Sequence, residues 1–168
     1  MLIIFSGLPG SGKTTLARAL AKQLNAVHIR IDTLEQAIRD SGMLANDIGP
    51  AGYFAAYGVV KDNLRLGRDV IADSVNSLNL TRTAWHDIAQ QTATNWIDIE
   101  VICSDPLEHQ HRIKTRVNDI AGLCQPSWQE VIGREYQPWR TPVLRIDTAG
   151  KTVSESLSEL SLRLIVNG

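Results

Sequence analysis

Only two cysteines, Cys103 and Cys124, occur in 168 residues, and their spacing matches no zinc or redox pattern. A disulfide scaffold is thereby set aside, and the pair reads as idle thiols suited to a reducing compartment. Charge of one sign is missing too: 17 Lys and Arg stand against 18 Asp and Glu, a formal charge of -1. Without a net basic field, a nucleic-acid partner is possible but disfavoured. No apolar run approaches the roughly 18 to 20 residues of a membrane helix, so no membrane partner is expected. Met1 to Ser6 meets a glycine loop with no basic region before it and reads as a strand, not a signal peptide. The expected setting is cytoplasmic. The four histidines, His28, His86, His109 and His111, have no metal-ligand spacing, and none is assigned a catalytic role. No internal repeat or low-complexity linker divides the chain, so one domain over residues 1–168 is expected.

What is present is an alternation of short β-rich runs and helical patterns, the mark of an α/β fold with a parallel sheet. Leu2 to Ser6 is apolar at nearly every position, as a strand covered on both faces requires. Lys13 to Leu24 follows, with Leu16, Ala17, Leu20, Ala21 and Leu24 at helical spacing. Val27 to Ile31 predicts a second strand and Thr33 to Arg39 a helix. Phe54 to Leu66 reads as helix up to Gly67, and Asp69 to Asp73 as the third strand. Thr81 to Thr92 is helical and Ile97 to Cys103 a strand. Asp105-Pro106 starts a helix, with Asp as N-cap and Pro at the first position, running towards Val117. Asn118 to Pro142 holds three of the six prolines, two glycines and two tryptophans with no strand pattern, so a flap is expected. Val143 to Asp147 predicts a fifth strand, and Val153 to Val166 a closing helix.

Gly7-Leu8-Pro9-Gly10-Ser11-Gly12-Lys13-Thr14 satisfies G-x-x-x-x-G-K-[ST] between a predicted strand and a predicted helix, the context this motif needs. The glycines let the loop curl so that backbone N–H groups face phosphate oxygens, and the helix directs its positive dipole end at the same charge. Lys13 would bridge the β- and γ-phosphates, and the Thr14 hydroxyl would ligate Mg²⁺. Gly7, Pro9, Gly10, Ser11, Gly12, Lys13, Thr14 and Thr15 are the candidate nucleotide-binding residues.

The remaining candidates each admit two readings. Asp32, after the second strand, is placed either to accept or orient a substrate hydroxyl or to cap the following helix. Asp73, ending the third strand, either holds an Mg²⁺ water or a substrate hydroxyl, or is a turn residue. Arg112 and Arg116 are one helical turn apart, so they close over a transferring phosphoryl group or form a solvated basic face. Trp128, Tyr136 and Trp139 either clamp a substrate or pack the flap down. Acceptor specificity is expected in the irregular segments Ser41 to Tyr57 and Asn118 to Pro142.

Together Gly7 to Thr15, Asp32 with Arg39 downstream, Gly67 to Asp73, Ser104-Asp105-Pro106 with Arg112 and Arg116, and Pro126-Ser127-Trp128 resemble the small P-loop kinases. That group includes gluconate kinases, chloramphenicol phosphotransferases, zeta-toxin-like kinases and polynucleotide 5′-kinases. The resemblance spans nearly the whole chain and implies a three-layer P-loop NTPase fold. Its sheet would have five parallel strands in the order 2-3-1-4-5, with helices on both faces and a lid at about residues 112–142. It further implies ATP and Mg²⁺ as cofactors, Asp32 acting on the acceptor hydroxyl, Arg112 and Arg116 in the lid, and adenine near Thr148 to Lys151. The implied activity is transfer of the γ-phosphoryl group of MgATP to a small-molecule hydroxyl, with Lys13, Asp32, Arg112 and Arg116 as catalytic residues and Thr14 and Asp73 at the metal. Polynucleotide kinases carry Asp-x-x-Arg, whereas Glu35 stands three residues after Asp32 here, which weighs against a nucleic-acid 5′-hydroxyl. A non-kinase ATPase or switch is the reading from another class; it needs a residue to orient water, and no obvious one is present.

Overall fold

The computed structural model describes residues 1–43 and 48–167, the side chains of 166 and 167 excepted. Its frame is a five-stranded sheet in the order β2-β3-β1-β4-β5, with every pairing parallel. The strands are β1 (Leu2–Ser6), β2 (Val27–Arg30), β3 (Val70–Asp73), β4 (Trp96–Ile102) and β5 (Leu144–Asp147). The helices are α1 (Lys13–Leu24), α2 (Ile31–Asp40), α3 (Ala51–Arg65), α4 (Asn79–Gln91), α5 (Pro106–Thr115), α6 (Trp128–Ile132) and α7 (Val153–Asn167). The order is the one expected.

β1 is buried along its length because its alternate residues feed two cores. Ile3 and Phe5 pack with Leu16 and Leu20 of α1 and Leu160 of α7. Leu2 and Ile4 pack on the other face with Ala56 and Val60 of α3 and Trp85 of α4. Trp85 is fully buried, edge-on to Tyr57 at 4.7 Å between ring centroids.

Several boundaries differ from the sequence expectation, and three of them matter. α2 begins at Ile31, not Thr33, so β2 ends at Arg30 and Asp32 lies inside the first helical turn. α5 stops at Thr115, because Arg116 takes an extended conformation with ψ 124°. Arg116 is therefore the C-cap residue, where the chain leaves the helix, and both arginines still line the same cleft. The flap contains a helix the composition hid: Ser127 and Glu130 form a reciprocal capping box that starts α6. The Asp105 N-cap is as expected, its carboxylate accepting from the N–H groups of Leu107 and Glu108.

Candidate active site

The loop between β1 and α1 opens at the carboxyl end of the central strand. Gly10 and Gly12 take φ values of 80° and 89°, a region open to glycine and costly for other residues. A side chain at Gly10 would also meet Ile113 Cδ1 of α5 at 2.6 Å, so the loop and α5 touch backbone to side chain. His109, given no role from the sequence, joins them as well: its Nε2 lies 2.8 Å from the Pro9 carbonyl oxygen, and its ring meets Trp128 edge-on. The Ser11 hydroxyl is buried with no hydrogen-bond partner among the described residues. A tight glycine curl, a buried unpartnered hydroxyl, a lysine and a threonine fit the phosphates of a nucleotide with its Mg²⁺.

Lys13 is buried, and its Nζ donates to Asp73 Oδ1 at 2.6 Å. His28 Nε2 lies 3.1 Å from the other Asp73 oxygen. Burial alone would raise the Asp73 carboxyl, but Lys13 and His28 together hold it well below the usual carboxylate range. Asp73, expected at the metal, thus engages the P-loop lysine directly, is fully buried and does not line the cleft. Thr14 and Thr15 do line it.

Arg112 is anchored. Its guanidinium donates to the Thr148 hydroxyl at 2.7 Å, the Thr148 carbonyl at 2.9 Å and Glu108 at 2.6 Å. The Thr148 hydroxyl itself donates to the Ser11 carbonyl at 2.8 Å, so Arg112 and Thr148 brace the loop from the β5–α7 turn. Arg116 lines the cleft, and among the described residues its side chain has no hydrogen bond or ion pair.

One cleft of about 860 Å³ runs from the loop to α2. Asp32, Glu35, Gln36 and Arg39 line it from a single stripe of α2, three and four residues apart. The side chain of Asp32 caps no helix; its Oδ2 lies 3.4 Å from the Arg30 guanidinium. Glu35 packs its Cγ where Gly52 of α3 has no side chain. Burial raises the Glu35 carboxyl, and Arg39, 3.7 Å away, opposes that shift. Tyr53, Gln125 and Arg134 complete the far wall. Burial raises the Tyr53 phenol, so it stays a donor at neutral pH. Of the Ser41 to Tyr57 segment, residues 44–47 lie outside the described residues.

Trp128, Tyr136 and Trp139 do not line the cleft. They pack: Arg82 lies over the Trp139 ring at 3.9 Å and the Tyr136 ring at 5.2 Å, while Trp139 Nε1 donates to Glu100. Glu35, Gln36, Tyr53, Gln125, Arg134 and the bracing His109 were not assigned from the sequence. Tyr53, Gln125 and Arg134 do fall in the two segments expected to carry acceptor specificity, and for the α2 residues the i, i+3, i+4, i+7 spacing of 32, 35, 36 and 39 was the available signal.

A glycine loop with its lysine at the carboxyl end of the central strand of a 2-3-1-4-5 parallel sheet defines a P-loop kinase domain. A family model described as an AAA domain matches residues 2–122, and the chain belongs to that family. It is 23% identical over 173 residues to the protein named "Probable adenylyl-sulfate kinase" of Aeropyrum pernix, covering 95% of this chain and 90% of that one. Among solved structures, Kti12 of Chaetomium thermophilum in complex with ADP-AlF3 is similar with a TM-score of 0.69 and 23% identity, over 96% of this chain and 97% of that one. A gluconokinase of Sinorhizobium meliloti gives a TM-score of 0.63 at 16% identity, over 99% and 96%. Among the described residues no helix is long and apolar enough to cross a membrane.

Proposed function

We propose that this protein is a phosphotransferase that moves the γ-phosphoryl group of MgATP onto a hydroxyl of a small molecule. The observation that carries the reading is the continuity of the cleft: the P-loop residues Lys13, Thr14 and Thr15 share one space with Asp32, Glu35 and Tyr53. A nucleotide timer needs no second, polar, room beside its phosphates. Six cations line this space, Lys13, Arg39, Arg112, Arg116, Arg134 and Lys151, against three anions, Asp32, Glu35 and Glu130. That excess suits a triphosphate.

In this reading the loop amides and Lys13 hold the phosphates, and Thr14 is the cleft-facing group for the metal, which supplies charge neutralisation when bound. Asp73 keeps Lys13 in place, and it would hold a metal water only if that contact rearranged. Thr148 and Lys151 border the adenine end. Asp32 orients the acceptor hydroxyl and takes its proton, while Arg116 meets the charge spread over the equatorial oxygens in transfer. Arg112 acts by bracing the loop.

The test is single-turnover transfer from γ-labelled ATP across a panel of sugars, sugar acids, nucleosides, adenylyl sulfate and oligonucleotides. Label is expected on one small hydroxylated compound. Lys13→Ala is expected to abolish transfer, and Asp32→Asn to keep nucleotide binding while losing turnover. Arg116→Ala should lose rate on the scale of an arginine finger, about 10³-fold or more. Label appearing only as free phosphate across the whole panel would sink the reading, and normal transfer by Asp32→Asn would remove Asp32 from it.

A further inference from the structure

Arg30 is the last residue of β2, buried to 6% exposure, and it does not line the main cleft. One guanidinium nitrogen, Nη1, donates to both carboxylate oxygens of Asp119 at 2.9 Å each. The other, Nη2, faces Asp32 Oδ2 at 3.4 Å, and Nε is buried with no partner among the described residues. A single buried cation is thus shared between the candidate proton acceptor on α2 and a residue of the irregular segment between α5 and α6. Arg18 of α1 donates to the same Asp119 at 2.6 Å, so this residue is gripped from two elements beneath it. The Arg18 hydrogen bond, opposed by burial and reinforced by Arg30, holds the Asp119 carboxyl down at about 2, so it is ionised at any working pH. The same segment carries Arg116 at its start and supplies Gly122, Cys124 and Gln125 to the cleft wall.

The geometry points to Arg30 as a positioning residue: it aims the Asp32 carboxylate and, through Asp119, ties that aim to the seating of the segment 116–127. The inference rests on the phosphotransfer reading for its catalytic half only. Arg30 touches no reacting atom in this assignment. It restricts Asp32, whose side chain is 35% exposed and has no other ion-pair partner among the described residues. When the segment lifts, Arg30 loses its two-oxygen partner, and a buried guanidinium with one weak contact is left; this ties the seated lid to an aimed Asp32.

The experiment is a double-mutant cycle on Arg30→Gln and Asp119→Asn in the full chain, read by single-turnover transfer, nucleotide affinity and amide exchange of residues 117–121. Each single variant is expected to lose at least about tenfold in transfer rate, the loss set by one charge-assisted hydrogen bond, with nucleotide affinity within about threefold. The double variant should be no slower than Arg30→Gln. Exchange at 117–121 should quicken in both single variants and no further in the double. Arg30→Lys keeps the charge but not the two-sided fork, so it should restore part of the rate. Losses that multiply in the double variant, or exchange that is unchanged in Arg30→Gln, overturn the proposal. If Arg30→Gln does not fold, Arg30→Lys takes its place in the cycle with a smaller single-variant loss expected, and losses that multiply in its double variant with Asp119→Asn, or unchanged exchange, overturn the proposal in the same way. Failure of the unsubstituted protein to phosphorylate any acceptor would defeat the phosphotransfer reading and Arg30's part in it, whereas the exchange measurements would still decide the tie to Asp119.

Discussion

Glu35 loses much of its water to α3, and its carboxyl is raised first by that burial and then by the nearby charge of Asp32, with Arg39 pulling the other way. A folded-state value above the ordinary 4.5 means that the fold disfavours the charged form. The penalty is absent below the unfolded value and grows as pH rises through it. Glu35→Gln is therefore expected to raise the thermal midpoint at pH 7, and the gain should vanish near pH 4. It should also raise the acceptor KM about tenfold, the scale of one hydrogen bond to a charged group. Thermal melts at the two pH values, paired with acceptor titrations, check both halves. An unchanged KM would make Glu35 a strained packing residue and not part of the acceptor wall. Burying a carboxylate at a stability cost without a functional return is uncommon, which is why the two readouts belong together. The P-loop residues were legible from sequence because their spacing is dictated by phosphate geometry. The contacts of Asp73, His28 and His109 were not, since each partner lies far along the chain and no local pattern announces it.

At the scale of elements, α2 and α3 meet through an absent side chain. A Cβ at Gly52 would run into Glu35 Cγ, an atom near the backbone end of its side chain that moves only if the whole residue does. Gly58, six residues along the same helix, has nothing within 4 Å of such an atom among the described residues. Alanine in a helix interior ordinarily stabilises over glycine by roughly 0.5–1 kcal/mol. Gly58→Ala is expected to show that gain in urea unfolding. Gly52→Ala should instead lower stability and acceptor affinity together, because it displaces Glu35 from the cleft. A stabilised Gly52→Ala with normal acceptor binding would mean that α3 shifts freely and does not shape the site. Element existence followed from hydrophobic period and caps, and Asp105-Pro106 placed its helix correctly. The start of α2 was missed because Ile31 extends the apolar pattern of β2, and strand and helix periods cannot be told apart over one residue. α6 was missed because the prolines and tryptophans around it outweighed its Ser127 and Glu130 box.

For the whole molecule, the loop sits where both cores converge: β1 sends alternate residues to α1 and α7 on one face and to α3 and α4 on the other. The sheet order was legible only through resemblance, because parallel order is decided by crossovers that no single strand encodes. The proposed acceptor room was legible only as two contributing segments, Ser41 to Tyr57 and Asn118 to Pro142; the share of α2 was not, since α2, α3 and the segment after α5 build the room together. A ligand bound at such a junction stabilises every layer at once. Binding to the folded state alone adds about 2.7 kcal/mol at one hundred times Kd. In a domain of this size that raises the unfolding midpoint by roughly 5–10 °C. A non-hydrolysable ATP analogue with Mg²⁺ is expected to produce such a rise in the unsubstituted protein and in Arg116→Ala, whose arginine is proposed to act only on the transferring group. Lys13→Ala should lose most of it, even though removing Lys13 also leaves Asp73 buried without its strongest partner and lowers the starting midpoint. The ligand-induced difference, not the absolute midpoint, is therefore the quantity to compare by calorimetry. A full rise retained in Lys13→Ala would put the nucleotide somewhere other than the glycine loop.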